Sequence, residues 1–290
     1  MVFYMLLNVP SRHYVLLYDA KYLLLNRHRP TYILYLQLCI QNTHTILYSS
    51  CQATCLPAGR DDEAVQAKSI ANYTKNARIY WSLYMKIINK NAQNAVSETV
   101  RILQQGGLVI FPTDTAYGLG ADITNSIAID RVFELKDRSE KNPLSIIVSD
   151  MNMAGEYGTF SSQAHMLAET FLPGPLTIVV PKTNKISERI VAGGSTIGIR
   201  IPDCNFILEV VRQLGKPITA TSANRSGKGT PYMMEEALHG FNGEGKYIDL
   251  VIDGGSLGQL TSTVVDISTS EPVIVREGPI SREDILKVLG

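Results

Sequence analysis

The chain has 290 residues, 45% hydrophobic and 19% charged, with 27 basic and 27 acidic side chains and a formal net charge of zero. These are the proportions of a soluble globular protein of one large or two small domains. The zero hides an asymmetry: residues 1–84 carry eight Lys/Arg and four Asp/Glu, leaving nineteen against twenty-three in the other 206. A mildly acidic remainder argues against a sequence-independent nucleic-acid clamp.

Residues 1–84 differ in composition from the rest, holding ten of the fourteen Tyr, the one Trp (Trp81), three of the five His and three of the four Cys, but one Gly. Their apolar bursts, Val2–Leu7, Tyr14–Tyr18, Tyr22–Leu25 and Tyr32–Ile40, fall short of the roughly 18 residues that span a bilayer. A secretory signal would need early basic residues and a longer apolar centre. Cys51 and Cys55, with Cys39 and His44 nearby, make half a zinc site that lacks a second matched pair. From Met85 the text reads as a natural start running into an amphipathic helix, with Val96, Val100 and Leu103 at helical spacing and Gly106-Gly107 as its end. Residues 1–84 are therefore expected to be an atypical N-terminal extension, an over-extended reading frame or a poorly ordered appendage, and residues 85–290 the working domain.

Leu108 to Phe111 is an apolar, β-prone run stopped by Pro112, which suits a strand buried on both faces. Thr113, Asp114 and Thr115 then offer two hydroxyls and a carboxylate, and Gly118 and Gly120 let the backbone approach a ligand or take φ > 0. An ordinary turn after a strand would account for the same residues. Asn125 is placed to cap a helix through Arg138 that buries Ile129, Val132, Phe133 and Leu135. Lys136 and Arg138 sit at its end, where cations also complement the helix dipole.

Leu144–Val148 reads as a strand, Ala164–Phe171 as a helix, and Leu176–Val180, after Pro173-Gly174-Pro175, as another strand. In the strand Thr196–Ile201, Arg200 stands between Ile199 and Ile201, so it points to the face opposite them and needs an anionic partner. A structural salt bridge and a ligand contact satisfy that need equally. After a helix over Phe206–Leu214, the strand Pro217–Thr221 opens into a second polar loop, Ser222-Ala223-Asn224-Arg225-Ser226-Gly227. Two polar loops beyond strand ends point to one crevice of an open α/β sheet. Leu250–Asp253, Thr263–Ile267 and Val273–Arg276 supply further strands, and Ser281 with Asp284 starts a last short helix.

Neither GxxxxGK[ST] nor a GxGxxG after a strand occurs, His165 and His239 have no recognisable catalytic partner in sequence, and Cys204 reads as an inert thiol. Triad chemistry is thus disfavoured. What remains is a kit of hydroxyls, amides and cations for polyanionic and zwitterionic substrates.

PTDTAYGLG, the KDR before NPLS, PGPLT, GIRIP, TSAN, STVVD and VREG occur in this order over roughly Glu98 to Ser281. In this the chain resembles the YrdC family of threonylcarbamoyl-AMP synthases. The resemblance implies an α/β fold, a twisted mixed sheet with flanking helices around a concave site, with residues 85–290 as a YrdC-like catalytic domain. It implies that L-threonine, bicarbonate and ATP give threonylcarbamoyl-AMP and pyrophosphate. It further implies Mg²⁺ held mainly through the ATP phosphates, a downstream tRNA threonylcarbamoyl-transferase, a cytoplasmic setting and no membrane; direct tRNA contact is left open. Gly290 follows soon after VREG, so the short, single-domain form is expected.

Carried over residue by residue, the resemblance gives threonine to Thr113, Thr115, Ser145, Arg200, Ala220 and Ser262. It gives ATP to Lys136, Arg138, Thr196, Ser222, Asn224, Thr230 and Arg276, with Lys136 and Arg138 as the catalytic cations. Ser139 stands where the family usually has Pro, and Ala116 where Val is commoner. Two alternatives are a non-catalytic tRNA- or double-stranded-RNA-binding module of the same fold and a carbamoyl-adenylate-forming domain of hydrogenase maturation.

Overall fold

Alternating strand and helix patterns beyond residue 86 assemble into one ten-stranded mixed sheet. It is seen in a computed structural model that describes residues 2–9, 12–19, 86–241, 247–258 and 260–290. The chain divides into two units, Met1–Ser69 and Ile70–Gly290. In the first, β1 (Val2–Val9) and β2 (Arg12–Asp19) form an antiparallel pair. The expectations for Cys39, His44, Cys51, Cys55, Trp81 and Met85 lie outside the described residues.

The second unit holds β3 (Ile87–Asn89), β4 (Val109–Pro112), β5 (Tyr117–Gly120), β6 (Ser145–Ile147) and β7 (Leu176–Pro181). It continues with β8 (Thr196–Arg200), β9 (Ile218–Ser222), β10 (Leu250–Asp253), β11 (Thr263–Asp266) and β12 (Val273–Arg276). Their order across the sheet is β12-β11-β7-β8-β6-β9-β5-β4-β10-β3. The pairs β3/β10, β10/β4, β6/β8 and β7/β11 are parallel, and the other neighbours antiparallel.

Seven helices accompany these strands among the described residues: α1 (Ala95–Gln104), α2 (Ser126–Lys136), α3 (Met151–Tyr157), α4 (Ser162–Phe171), α5 (Asn205–Leu214), α6 (Met234–His239) and α7 (Arg282–Leu289). None is long and apolar enough to cross a membrane. The Asn125 side chain accepts from Ala128 N at 3.0 Å to start α2, and Asp150, Ser161 and Ser281 cap α3, α4 and α7 in the same way.

Side chains alternate faces along a strand, and the register therefore sorts the core into two. Ile146, Ile178 and Ile199 pair across β6, β7 and β8 and lie in a cluster with Ile129 and Val132 of α2 and Leu167 of α4. The other face packs Val109, Phe111, Ile147 and Ile218 against Val100 and Leu103 of α1 and Ile207 and Val211 of α5. Phe111 and Ile147 also line a cavity, so this second core ends where the cavity begins.

The structure departs from the expected loop after Pro112. Only Thr113–Ala116 turns; Tyr117–Gly120 is a strand, antiparallel to β4, in which Gly118 borders the cavity and Gly120 does not. Neither glycine has positive φ. A Cβ on Gly118 would stand 2.8 Å from Phe111 Cζ, and one on Gly120 2.7 Å from its Cε1, so the two glycines make room for the phenyl ring lying across the hairpin. The helix expected to carry Val96, Val100 and Leu103 is α1, from Ala95 to Gln104, and the unanticipated strand β3, paired with β10, precedes it. The short helices α3 and α6 were not anticipated.

Gly118→Ala must displace the Phe111 ring where the second core meets the cavity and is expected to lower stability by about 1–3 kcal/mol, as overpacking does. Urea denaturation measures this; an unchanged midpoint would show that the ring has spare room.

Candidate active site

The turn that closes the β4–β5 hairpin is built by Thr113. Its hydroxyl donates to Ala116 O at 2.7 Å and accepts from the N–H groups of Thr115 and Ala116, each at 3.1 Å. One proton and two lone pairs are then in use, so the Thr113 hydroxyl is consumed by the turn. Thr115 Oγ1, 3.1 Å from Thr113 Oγ1, accepts from Arg200 Nη1 at 2.9 Å and borders the cavity.

Arg200 ends β8 on the face opposite Ile199. Its guanidinium donates to Asp114 Oδ1 at 2.5 Å and, through Nε, to Gly174 O at 3.3 Å. It is 7% exposed, and burial pulls its pKa below the ordinary arginine value. Three of five N–H donors have protein partners, and Arg200 lines the cavity. Asp114 Oδ2 is buried without a hydrogen-bond partner.

The cavity, about 210 Å³, is bordered by the Thr113–Ala116 turn and floored by one sheet face. Register explains the floor. Ser145 pairs with Ala220, Gly118 with Ser222, and Val264 with Thr177, all cavity-lining residues on the side away from Ile146 and Ile178. Arg276, on β12, donates from Nε to Ser262 O at 3.0 Å and from Nη2 to Ser262 Oγ at 3.1 Å, while Ser262 Oγ lies 3.1 Å from Thr177 Oγ1. Burial and the neighbouring Arg200 both lower the Arg276 pKa.

Arg138 enters from the end of α2. Asp137 adopts a left-handed conformation, φ 48°, after which Arg138 donates to the carbonyls of Asn142 (3.1 Å) and Pro143 (2.7 Å). Three guanidiniums thus line one cavity with hydroxyls between them. Such a surface is a receptor for carboxylate and phosphate oxygens.

Among the anticipated site residues, Thr113, Thr115, Arg138, Ser145, Arg200, Ala220, Ser222, Thr230, Ser262 and Arg276 line this cavity. Lys136 and Asn224 lie behind its wall. The Lys136 ammonium, 1% exposed, donates to Ser222 O at 2.5 Å and Asn224 O at 2.6 Å. The Asn224 amide accepts from Ser222 Oγ at 2.5 Å and donates to the carbonyls of Lys228 (2.6 Å) and Gly229 (3.0 Å). In this conformation both residues hold the Ser222–Gly229 loop together. Thr196 is at the other end of β8, paired with Pro181 and about 13 Å along the strand from Arg200; it does not line the cavity.

Sequence reasoning offered the Asp114 carboxylate to the polar turn without pairing it with Arg200, and it gave no role to Thr177. The signal for Thr177 was a hydroxyl in the apolar run Leu176–Val180, at period two with the floor. Cys204 is free, its thiol 3.5 Å from Pro112 O and its pKa raised by burial, in keeping with an inert thiol. Among the described residues no group of three or more His, Cys, Asp and Glu could hold a metal ion.

An open mixed sheet carrying an arginine- and hydroxyl-lined cavity on one face defines an anion-binding α/β protein. The Sua5–YciO–YrdC family model, described as "Telomere recombination", matches residues 101–278, and the chain belongs to this family. Threonylcarbamoyl-AMP synthase of Bacillus subtilis is 36% identical over 198 residues, 67% of this chain and 56% of that protein. That of Pyrococcus abyssi is 38% identical over 191 residues, 65% of this chain and 55% of its own length. The chain thus spans a little over half the length of these relatives. Pyrococcus abyssi Sua5 solved with L-threonine has the same fold at TM-score 0.66 and 35% identity, covering 71% of this chain and 61% of that one. Escherichia coli YciO aligns at TM-score 0.61 and 28% identity, covering 68% of this chain and 95% of its own.

Removing the carboxylate at Asp114 leaves a buried guanidinium uncompensated. Asp114→Ala is expected to cost about 3–5 kcal/mol, read from chemical denaturation; a loss under about 1 kcal/mol would mean that the pair is dispensable. Lys136 gives a pH signature. Burial and the nearby Arg138 push its pKa down to about 7, so at pH 8 most of it is unprotonated in the free protein. A polyanion in the cavity raises that pKa, and binding at pH 8 therefore takes up protons, with affinity falling as pH rises above 7. Calorimetric titration with ATP in buffers of different ionisation enthalpy should show the uptake in wild type and lose it in Lys136→Arg. Equal uptake in both would assign the proton elsewhere.

Proposed function

We propose that the protein is an L-threonylcarbamoyladenylate synthase, converting L-threonine, bicarbonate and ATP into threonylcarbamoyl-AMP and pyrophosphate. The observation that carries this reading is the meeting of Arg138, Arg200 and Arg276 in one cavity floored by hydroxyls. A zwitterionic amino acid and a triphosphate need two anion receptors within reach of each other. The names of the relatives and the threonine bound to the Pyrococcus protein support the choice of substrates.

Roles follow from placement. The Arg200 fork, held by Asp114, meets the threonine carboxylate, and Thr115, Ser145 and Ser262 offer hydroxyls to the rest of the amino acid. Arg138 and Arg276 meet the triphosphate, with Ser222 and Thr230 beside the nucleotide. Lys136 and Asn224 fix the loop that carries Ser222. The threonine amine and bicarbonate combine to a carbamate with loss of water. A carbamate oxygen then bonds to the α-phosphorus as the bond from that phosphorus to the bridging oxygen breaks, and pyrophosphate leaves with the electron pair. No enzyme nucleophile is needed; the chain positions the reactants and neutralises charge.

Mg²⁺ fits as a companion of the triphosphate, since hydroxyls and guanidiniums rather than carboxylates line the cavity and most of its ligands would be phosphate oxygens. It would neutralise phosphate charge there. The adenylate would pass to a tRNA threonylcarbamoyl-transferase in the cytoplasm, and the reading requires no direct contact with tRNA.

The test is pyrophosphate release from ATP. It should require both threonine and bicarbonate and should fall at least a hundredfold in Arg138→Ala with unchanged circular dichroism. Release that depends on carbamoyl phosphate, or RNA binding without turnover, would overturn the reading.

A further inference from the structure

Gly198 lies on β8 two residues before Arg200 and therefore on the same, cavity-facing side. A Cβ built there would come 2.5 Å from Ser145 Oγ, 3.1 Å from Ser145 Cβ and 3.2 Å from Thr177 Cγ2. Both neighbours line the cavity. Its φ is not in the left-handed region, so backbone conformation does not demand glycine. What demands it is space: the Ser145 hydroxyl is tucked into the gap above Gly198, flat against the sheet.

We infer that Gly198 is a specificity-determining position that sets the depth of the amino-acid end of the cavity, admitting a side chain as large as that of threonine. This rests on the synthase reading for the identity of the amino acid. Any side chain at 198 must turn the Ser145 hydroxyl out of its gap and press on the Thr177 methyl, raising the floor beside Arg200. The loss falls on the substrate side chain. The carboxylate receptor, Arg200 with Asp114 and Thr115, keeps its partners, and the phosphate end at Arg138 lies on other elements.

The experiment is calorimetric titration of the full chain with L-threonine, L-serine and ATP, in wild type, Gly198→Ala, Ser145→Gly and the double variant. A methyl group misplaced in a pocket shifts affinity by about tenfold or more. Gly198→Ala should therefore weaken threonine by about tenfold, weaken serine less because it lacks the γ-methyl, and leave ATP within about twofold. Against a Ser145→Gly background the same substitution should cost under about threefold, because the group it displaces is gone. Equal loss for threonine and serine, equal loss in both backgrounds, or no loss with an unchanged melting temperature would overturn the inference. If the wild type itself binds no threonine, the synthase reading fails instead, which the first titration reveals. Should Gly198→Ala not fold, the Ser145→Thr variant, which adds bulk over the same gap, is expected to show the same selective loss of threonine.

Discussion

The buried ion pair between Arg200 and Asp114 ties together three parts of the molecule that are remote in sequence. Placing a guanidinium at the end of an interior strand carries a desolvation penalty of several kcal/mol, which a carboxylate and further acceptors must offset. Asp114 supplies the charge from the β4–β5 turn, Thr115 a hydroxyl from the same turn, and Gly174 a carbonyl from the approach to β7. The turn can supply them because Thr113 spends its hydroxyl on closing it. The cavity wall is therefore rigid before any ligand arrives, which is the condition for catalysis by positioning.

Around that pair, the strict alternation of strand side chains separates structure from function. Ile146, Ile178 and Ile199 are committed to one core, and the residues next to them, Ser145, Thr177, Gly198 and Arg200, look the other way. A slip of one residue in any of these strands would bury a hydroxyl or the arginine in the core and push an isoleucine into the cavity. Helices α1 and α5 cover this second face only as far as Phe111 and Ile147. The uncovered remainder carries small residues at Ser145, Gly198, Ala220 and Gly118, and that smallness gives the cavity its depth.

Much of this was readable from residue pattern. An arginine flanked by isoleucines had to face away from them, Asn125 had to cap a helix, and the loop at Ser222 had to follow a strand. The Tyr117–Gly120 strand was not readable because glycine there serves the Phe111 ring, a contact made only when the hairpin closes, whereas in sequence it looks like loop punctuation. Lys136 reads as a phosphate contact at a helix end; only the tertiary fold reveals the carbonyls of Ser222 and Asn224 waiting behind the wall. Thr196 shares a strand and a face with Arg200, and periodicity cannot say that the far end of a strand lies outside a cavity. Composition carried the least: the balance of charges over residues 85–290 gives no hint that three arginines converge.

The central claim is that one rigid, arginine-lined sheet face receives an amino-acid carboxylate and a triphosphate side by side. A crystal structure with L-threonine and a non-hydrolysable ATP analogue tests it most directly. The account predicts the threonine carboxylate on Arg200, its side chain over Ser145 and Gly198, and the phosphates between Arg138 and Arg276, with the Asp114–Arg200 pair unmoved. Threonine bound away from Arg200, or an Arg200 that leaves Asp114 to reach it, would contradict the account.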